Sequence, residues 1–452
     1  MQTAKGYILK GRVIDGSLNP PIEQGAVVVQ GDRIRWVGNA AELPAQHSPN
    51  EHEVIELPGR SIMPGLVDGH THISFGESRS EEENALYTPP EFRALKAIYY
   101  AKKVLQAGVT SCFDAATTYH VAQAVRDAID TGMFEGPRFT VSGKQITNHQ
   151  GLEDSFPSWM EFPVGQSAVL VKNKDDLIEA IRLQVKEEVD AIKVSGSNDN
   201  LISPDSLGAS AFTVEELKLI ADEAHRLGRI CSTHARSRDS ARDAAIAGFD
   251  NLFHASYIDD EGIEACLKNR CVITPTLTLL VNLIGASPEL AGASAKSAFQ
   301  REVEAASQNL HRAWKAGVPI IAGSESGWSP VPYGHWHAKE MEIFVDLLGM
   351  SPLQAIHANT LAATRLFKRY GHEIGKVEAG RLADLLIVPG DPTKDIRILQ
   401  FPKRFDYIFK GGRPIDRTPP RPRVRKWYER TKTFLDGLYV FDEETGSGRL
   451  EK

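Results

Sequence analysis

Eight short β-branched runs alternate with helical stretches between residues 66 and 326, and this alternation constrains the fold most. The runs are LVDGHTH (66–72), VTSCFDA (109–115), RFTVSG (138–143), AIKVSG (191–196), RICSTHA (229–235), NLFHAS (251–256), VITPTL (272–277) and VPIIAGSES (318–326). Helical stretches separate most of them. FTVEELKLIADEAHRLG precedes the fifth run; it opens with Thr213 and carries Glu216 three residues on, the pairing of a capping box. Leu217, Ile220, Ala221, Ala224 and Leu227 then make one apolar stripe, and Gly228 ends it. After the eighth run, Ser351 is placed as an N-cap with Pro352 at the first helical position. Strands and helices in this order predict an α/β fold, a (β/α)8 TIM barrel.

Two β-rich patches flank the barrel region. The first holds YILKGRVID, GAVVVQGDRIRWVG and EVIELPGRSIMPG; the second holds GRLADLLIVPGD and FDYIFKGGRPID, some 300 residues later. Strands of the same texture at both ends predict a small β-sandwich domain in which the two ends meet. The expected boundaries are 1–63 for its N-terminal part, 64–375 for the barrel, and 376–452 for its C-terminal part plus a tail. A chain of 452 residues is long enough for both units.

In such a barrel the chemistry sits at the C-terminal ends of the strands. His70 and His72 end the first run, Lys193 lies in the fourth, His234 ends the fifth, His254 the sixth and Glu325 the eighth. Residues two apart on a strand share a face, so His70 and His72 both reach the barrel mouth. Singly, each has an ordinary reading as a satisfied polar side chain or half of an ion pair. Lys193 is harder to dismiss, because a buried ammonium between Ile192 and Val194 is costly unless paired. Together, four imidazoles and a carboxylate converging on one barrel mouth form a site for Zn2+ or a similar divalent ion. His149, in QITNHQG, is placed to face the mouth and to polarise or orient a substrate carbonyl. His335 and His337, in PYGHWHAKEM, lie on the loop expected to cover the site. His120, His225, His311 and His357 are read as packing or surface residues.

These residues resemble the amidohydrolase superfamily, on its imidazolonepropionase-like and Xaa-Pro dipeptidase-like branch. MPGLVDGHTH resembles the first-strand signature, and FTVEELKLIADEAHRLGR, HASYIDDEG and IGKVEAGRLADLLIVPGDP resemble later segments. The resemblance implies that His70 and His72 bind one metal and that His234 and His254 bind a second. It implies that Lys193 carries a CO2-derived carboxyl group bridging both. Zn2+ is the implied ion, with Co2+ and Mn2+ as alternatives. Three departures stand out. Glu325 occupies the place of the family's Asp, Arg236-Ser237 stands where His-Gly is common after His-Ala, and SGSNDN follows Lys193 where glycines are commoner. One metal and two metals both stay open, the single-metal set being His70, His72 and Glu325 or the His234 and His254 pair.

The expected function is metal-dependent hydrolysis of a C–N bond in a small amide, carbamate or urea by a metal-bound hydroxide. Glu325 acts as proton shuttle, and a metal or His149 steadies the oxyanion. A dipeptidase needs a cation to clamp the substrate carboxylate, and Arg236 and Arg238 are candidates. Trp328, Tyr333 and Trp336 on one loop, with Phe156 and Trp159 on another, favour an aryl or N-acyl substrate instead. Relatives on this branch act on phenylurea, thiocarbamate and mycotoxin amides. The alternative is an Xaa-Pro-type dipeptidase or metallocarboxypeptidase. A deaminase ranks lower because His234-Ala235-Arg236-Ser237 lacks the required Glu; a non-catalytic scaffold ranks lower because the ligand set is full.

The partner expected is a small-molecule substrate. A net charge of −7 does not suggest nucleic acid, and Arg421–Arg425 within RPRVRK is read as a solvated surface run. No apolar stretch reaches about 18 residues, so no membrane span is expected, nor a leader in MQTAKGYILKGRVIDG. Four cysteines make no disulfide framework, and Cys266 and Cys271 are read as reduced structural thiols. The expectation is a cytoplasmic protein. The family is often oligomeric, so a homo-oligomer is expected; the tail WYERTKTFLDGLY packs on its own barrel or on a neighbour.

Overall fold

Each of the first seven runs forms a strand. The computed structural model describes residues 6–47, 51–149, 151–199, 209–286, 293–426 and 437–451. Four strands come first: β1 (Gly6–Val13), β2 (Ile22–Gln30), β3 (Arg33–Asn39) and β4 (His52–Pro64). The middle then runs β5 (Leu66–Thr71), α1 (Pro90–Gln106), β6 (Val109–Asp114), α2 (Val121–Asp130), β7 (Arg138–Val141), β8 (Gln145–Thr147) and β9 (Ala168–Leu170). It continues with α3 (Lys174–Lys186), β10 (Ala191–Ser195), α4 (Val214–Arg226), β11 (Ile230–Ala235), α5 (Arg238–Ala247), β12 (Asn251–His254), α6 (Asp260–Asn269) and β13 (Val272–Thr274). Helices α7 (Leu277–Ala286), α8 (Ala293–Ala316), α9 (Lys339–Leu348) and α10 (Pro352–Ala358) follow. The chain closes with β14 (Leu385–Pro389), β15 (Tyr407–Lys410), β16 (Arg413–Pro414), β17 (Leu438–Asp442) and β18 (Ser447–Glu451).

The caps form as the sequence dictates. Thr213 and Glu216 make the capping box of α4, and Ser351 makes a second one with Gln354 ahead of α10. The middle strands run parallel in two sheets, β5-β6-β7 and β13-β12-β11-β10-β8-β9. Strands β8 and β9 have no counterpart among the eight runs, because three residues each give too short a pattern to read. The eighth run pairs through isolated bridges rather than a continuous ladder. Ile320 bridges Ile273, and Ser326 bridges Thr71, so this segment joins β13 to β5. Gly69 N donates to Ala322 O and Glu325 N to His70 O, both at 2.9 Å. Gly323 permits this approach: a Cβ there would stand 2.7 Å from Thr274 and 2.8 Å from the His70 Cβ.

The two chain ends do meet. β16, β15, β14, β4, β1, β2 and β3 form one seven-stranded sheet, with β14 antiparallel to β4. Leu9, Val27, Val29, Ile62, Leu385 and Phe409 share its apolar core. The sheet curls, since Arg33 at the start of edge strand β3 bridges Leu382, just ahead of β14.

The segment read as a solvated surface run lies at the surface, with Arg421, Pro422, Val424 and Lys426 exposed, and it also forms a strap across α1. Tyr99 Oη donates to Arg421 O at 2.9 Å, Arg423 Nε donates to Tyr100 Oη at 2.8 Å, and Arg425 Nη1 lies 2.9 Å from Glu83. Arginine stems cover aromatic faces while their heads reach buried acceptors, which a count of charges in the sequence does not register. Residues 427–436 of the tail lie outside the described residues; Leu438 and Tyr439 belong to β17. All four cysteines are buried and free. Among the described residues no helix is long and apolar enough to cross a membrane.

Candidate active site

Residues of β5, β10, β11 and the eighth run line one cavity of about 130 Å³, with His254 of β12 packed beside them. His70 Nε2 and His72 Nε2 are 3.0 Å apart, and each lies 3.2 Å from one carboxylate oxygen of Glu325. One ligand atom from each of the three residues fits within a 4.8 Å sphere of mutual distances, and all three side chains are buried. The other imidazoles stand beside them: the ring centroids of His254 and His70 are 5.6 Å apart, and those of His254 and His234 4.5 Å. Lys193 Nζ lies 3.7 Å from the centre of the Phe253 ring, which in turn packs 4.1 Å from His70.

Two of the rings are turned by their Nδ1 atoms. His72 Nδ1 lies 3.3 Å from Ala116 O and donates to it; His254 Nδ1 is 2.6 Å from Thr276 Oγ1. Each contact leaves Nε2 for the centre, the arrangement that orients imidazole ligands. The Nε2 atoms of His234 and His254 are buried without a partner, as is Nδ1 of His70. Burial pushes His70 and His234 down to about 3, and His254 well below its ordinary value. Neutral imidazoles with unanswered lone pairs, beside a carboxylate, fit a divalent cation.

Burial raises the Glu325 carboxyl, but His70 and His72 outweigh it and hold the pKa well below the usual range. The Glu325 backbone is left-handed at φ 62°, and that of His254 at 71°. Such conformations in non-glycine residues cost about 1–3 kcal/mol and gather at functional sites. Lys193 is fully buried. A cation–π contact is worth about 2 kcal/mol when desolvated, less than the several kcal/mol lost by a buried ion. Desolvation therefore lowers the Lys193 ammonium to about 7, against opposition from Glu325 and Glu153.

Behind the ligands, Asp68 ties two of the strand ends together. Its Oδ1 accepts from His70 N at 3.1 Å and from Ser324 N at 3.0 Å, and its Oδ2 lies 2.7 Å from His337 Nδ1. The alternation Asp68, His70, His72 carried this signal in the sequence.

Several expected substrate contacts are placed elsewhere. His149 is 62% exposed and pairs with Asp154 at 2.9 Å, away from the cavity. The chain turns after β8, and a left-handed Glu153 brings Leu152 and Glu153 over the cavity instead. Arg236 is no free clamp: it is buried between Asp199 at 2.7 Å and Glu302 at 2.8 Å, as a desolvated guanidinium requires. Tyr333 sits behind His72, donating to its carbonyl oxygen and accepting from Gly76 N at 3.1 Å. His337 serves Asp68, and His335 lines a separate cavity beside Lys103 and Glu77. Trp336 stacks on Tyr439 with centroids 5.5 Å apart. Trp159 is 84% exposed, and Phe156 does not line the cavity. Trp328 alone of these aromatics lines it, packed edge-on against Phe75. His120, His225, His311 and His357 each bond locally, as expected.

A model of the amidohydrolase family matches residues 61–415, well over half of the sequence. The chain belongs to the amidohydrolase family. A short model, the imidazolonepropionase-like composite domain of bacteria, matches residues 25–47 of this amidohydrolase. The ochratoxinase of Aspergillus niger is 27% identical over 422 residues, covering 90% of this chain and 85% of its own. Its crystal structure superposes with a TM-score of 0.79 over 91% of this chain and 95% of the other, at 25% identity. The imidazolonepropionase of Paracoccus denitrificans (strain Pd 1222) is 32% identical over 275 residues, 56% of this amidohydrolase and 64% of the relative. A Xaa-Pro dipeptidase crystallised with methionine shares the fold, with a TM-score of 0.79 at 24% identity over 91% of this chain and all of its own.

Proposed function

We propose that this amidohydrolase hydrolyses a C–N bond of a small amide, carbamate or urea bearing a ring-sized apolar group, at the centre built from His70, His72 and Glu325. The carrying observation is that these three buried side chains present ligand atoms within 4.8 Å of one another, beside His234, His254 and Lys193. In this reading His70, His72 and Glu325 hold one divalent ion, Zn2+ by preference, and His234 and His254 hold a second. When bound, such a cation polarises a carbonyl oxygen and makes water a nucleophile near neutral pH. Glu325 takes the water proton and returns it to the leaving nitrogen. Lys193, an amine near neutrality rather than a fixed ammonium, adds CO2 to give a carbamate and a proton, and the carbamate answers the buried positive charge. Trp328, Phe75, Leu279 and Leu283 exclude water and seat the apolar group. An engineered cavity of about 150 Å³ holds benzene, so one of about 130 Å³ takes one ring. The proposal includes a (β/α)8 barrel over 64–375 and a β-sandwich from 1–63 and 376–452.

The test is amine release by the metal-loaded protein and its Glu325→Gln variant from anilides, phenylureas, N-acyl amino acids and Xaa-Pro dipeptides. Hydrolysis of amides or ureas, with kcat lowered about 10²–10⁴-fold in the variant, supports the reading. Cleavage of Xaa-Pro dipeptides alone favours a dipeptidase, and no cleavage overturns C–N hydrolysis.

A further inference from the structure

One wall of the cavity has no part in the proposed reaction. Glu153, on the loop between β8 and β9, lines the cavity and is only 4% exposed. Its Oε2 is buried without a hydrogen-bond partner. Glu81, which opens a short helical segment (81–87) after β5, lines the same cavity, and its Oε2 is equally unanswered. Burial and the nearby Glu153 push the Glu81 carboxyl well above its usual range. Glu153 is also held at φ 77°, a strained position for a side chain of its kind. Buried acceptors without donors cost stability unless something answers them.

Among the described residues, the cations near the cavity leave the Oε2 atoms of this wall without a hydrogen-bond partner. Arg236 is spent between Asp199 and Glu302. Among the described residues lining the cavity, Lys193 is the one Lys or Arg, against four carboxyl groups: Glu81, Glu153, Asp199 and Glu325. The rest of the wall is largely apolar, with Leu152, Leu279, Leu283 and Trp328. A substrate carboxylate would meet acids there. An ammonium beside an apolar body meets two unanswered carboxyl oxygens and a matching surface.

We propose that Glu153 and Glu81 form a subsite for a protonated amine, so that the amides cleaved here carry a free amino group near the scissile bond. The inference rests on the reading of C–N hydrolysis at the same cavity, and binding separates the two. The ligands are L-phenylalanine anilide and N-acetyl-L-phenylalanine anilide, which differ in the charge of one nitrogen. Their Kd values are measured by calorimetry, and aniline release is followed, on the metal-loaded wild type and on Glu153→Gln. The free-amine anilide should bind at least tenfold more tightly than the acetylated one, and Glu153→Gln should abolish that preference. Glu81→Gln, at a less buried position, repeats the comparison if Glu153→Gln does not fold. Equal or tighter binding of the acetylated anilide, or a preference that survives both variants, overturns the subsite. Preferential binding without aniline release keeps the subsite and sinks the hydrolysis; release without preference does the reverse.

Discussion

His70 and His234 are useful to a cation only as neutral rings, and this ties stability to pH. Burial lowers both to about 3 in the folded chain, against 6.5 for an unperturbed ring. Between those values the unfolded chain binds more protons, so stability from these residues rises with pH and is lost as pH falls from 6.5 towards 3. Buried Asp114 and Glu340 are pushed up to about 7 and act with the opposite sign over part of the range. The check is therefore a difference: between pH 7 and pH 4 the metal-free wild type should lose more of its urea midpoint than a His70→Gln/His234→Gln variant. Equal losses would contradict the neutral-ring account. His70, His72 and Glu325 were legible in the sequence because a strand end fixes where such residues point. Glu81 and Glu153 were not, since Glu81 opens a helical segment of only seven residues (81–87) and Glu153 stands on an irregular loop, neither of which leaves a readable period. His149 misled for the same reason: proximity to a strand end said nothing of the turn that follows.

At the scale of elements, the eighth run decides the site, although it forms only bridges. It brings Glu325 to the histidines because Gly323 lets it lie against His70 and Thr274. Gly323→Ala should push on both, costing about 1–3 kcal/mol as an overpacked substitution does, and should weaken metal affinity more than it disturbs the distant sheet of β1–β4. Thermal unfolding with metal titration reads both effects; a variant with wild-type metal affinity would show that the close approach is not needed. Seven of the eight runs were readable as strands from β-branched residues between turn formers. The eighth was found too, but its interrupted pairing depends on partners at residues 71 and 273, far away in sequence.

Over the whole molecule, the C-terminal segment braces the loops around the cavity. Arg425 holds Glu83 in the short helical segment that carries Glu81, and Tyr439 N donates to Ser329 O at 3.0 Å, next to Trp328. The Arg425–Glu83 pair is largely buried, so Arg425→Ala should destabilise this helical segment by about 3 kcal/mol and raise KM more than it lowers kcat. An unchanged KM would mean the strap does not shape the cavity. A cation held by His70, His72 and Glu325 and used to cleave a C–N bond is the centre of the proposed reaction. The most direct measurement is amide hydrolysis followed through metal removal and return, with bound metal counted at each step. Activity should vanish with chelation, return with one or two equivalents of Zn2+, and fail to return in a His70→Gln/His72→Gln variant. Full hydrolysis by the metal-free protein would contradict the account.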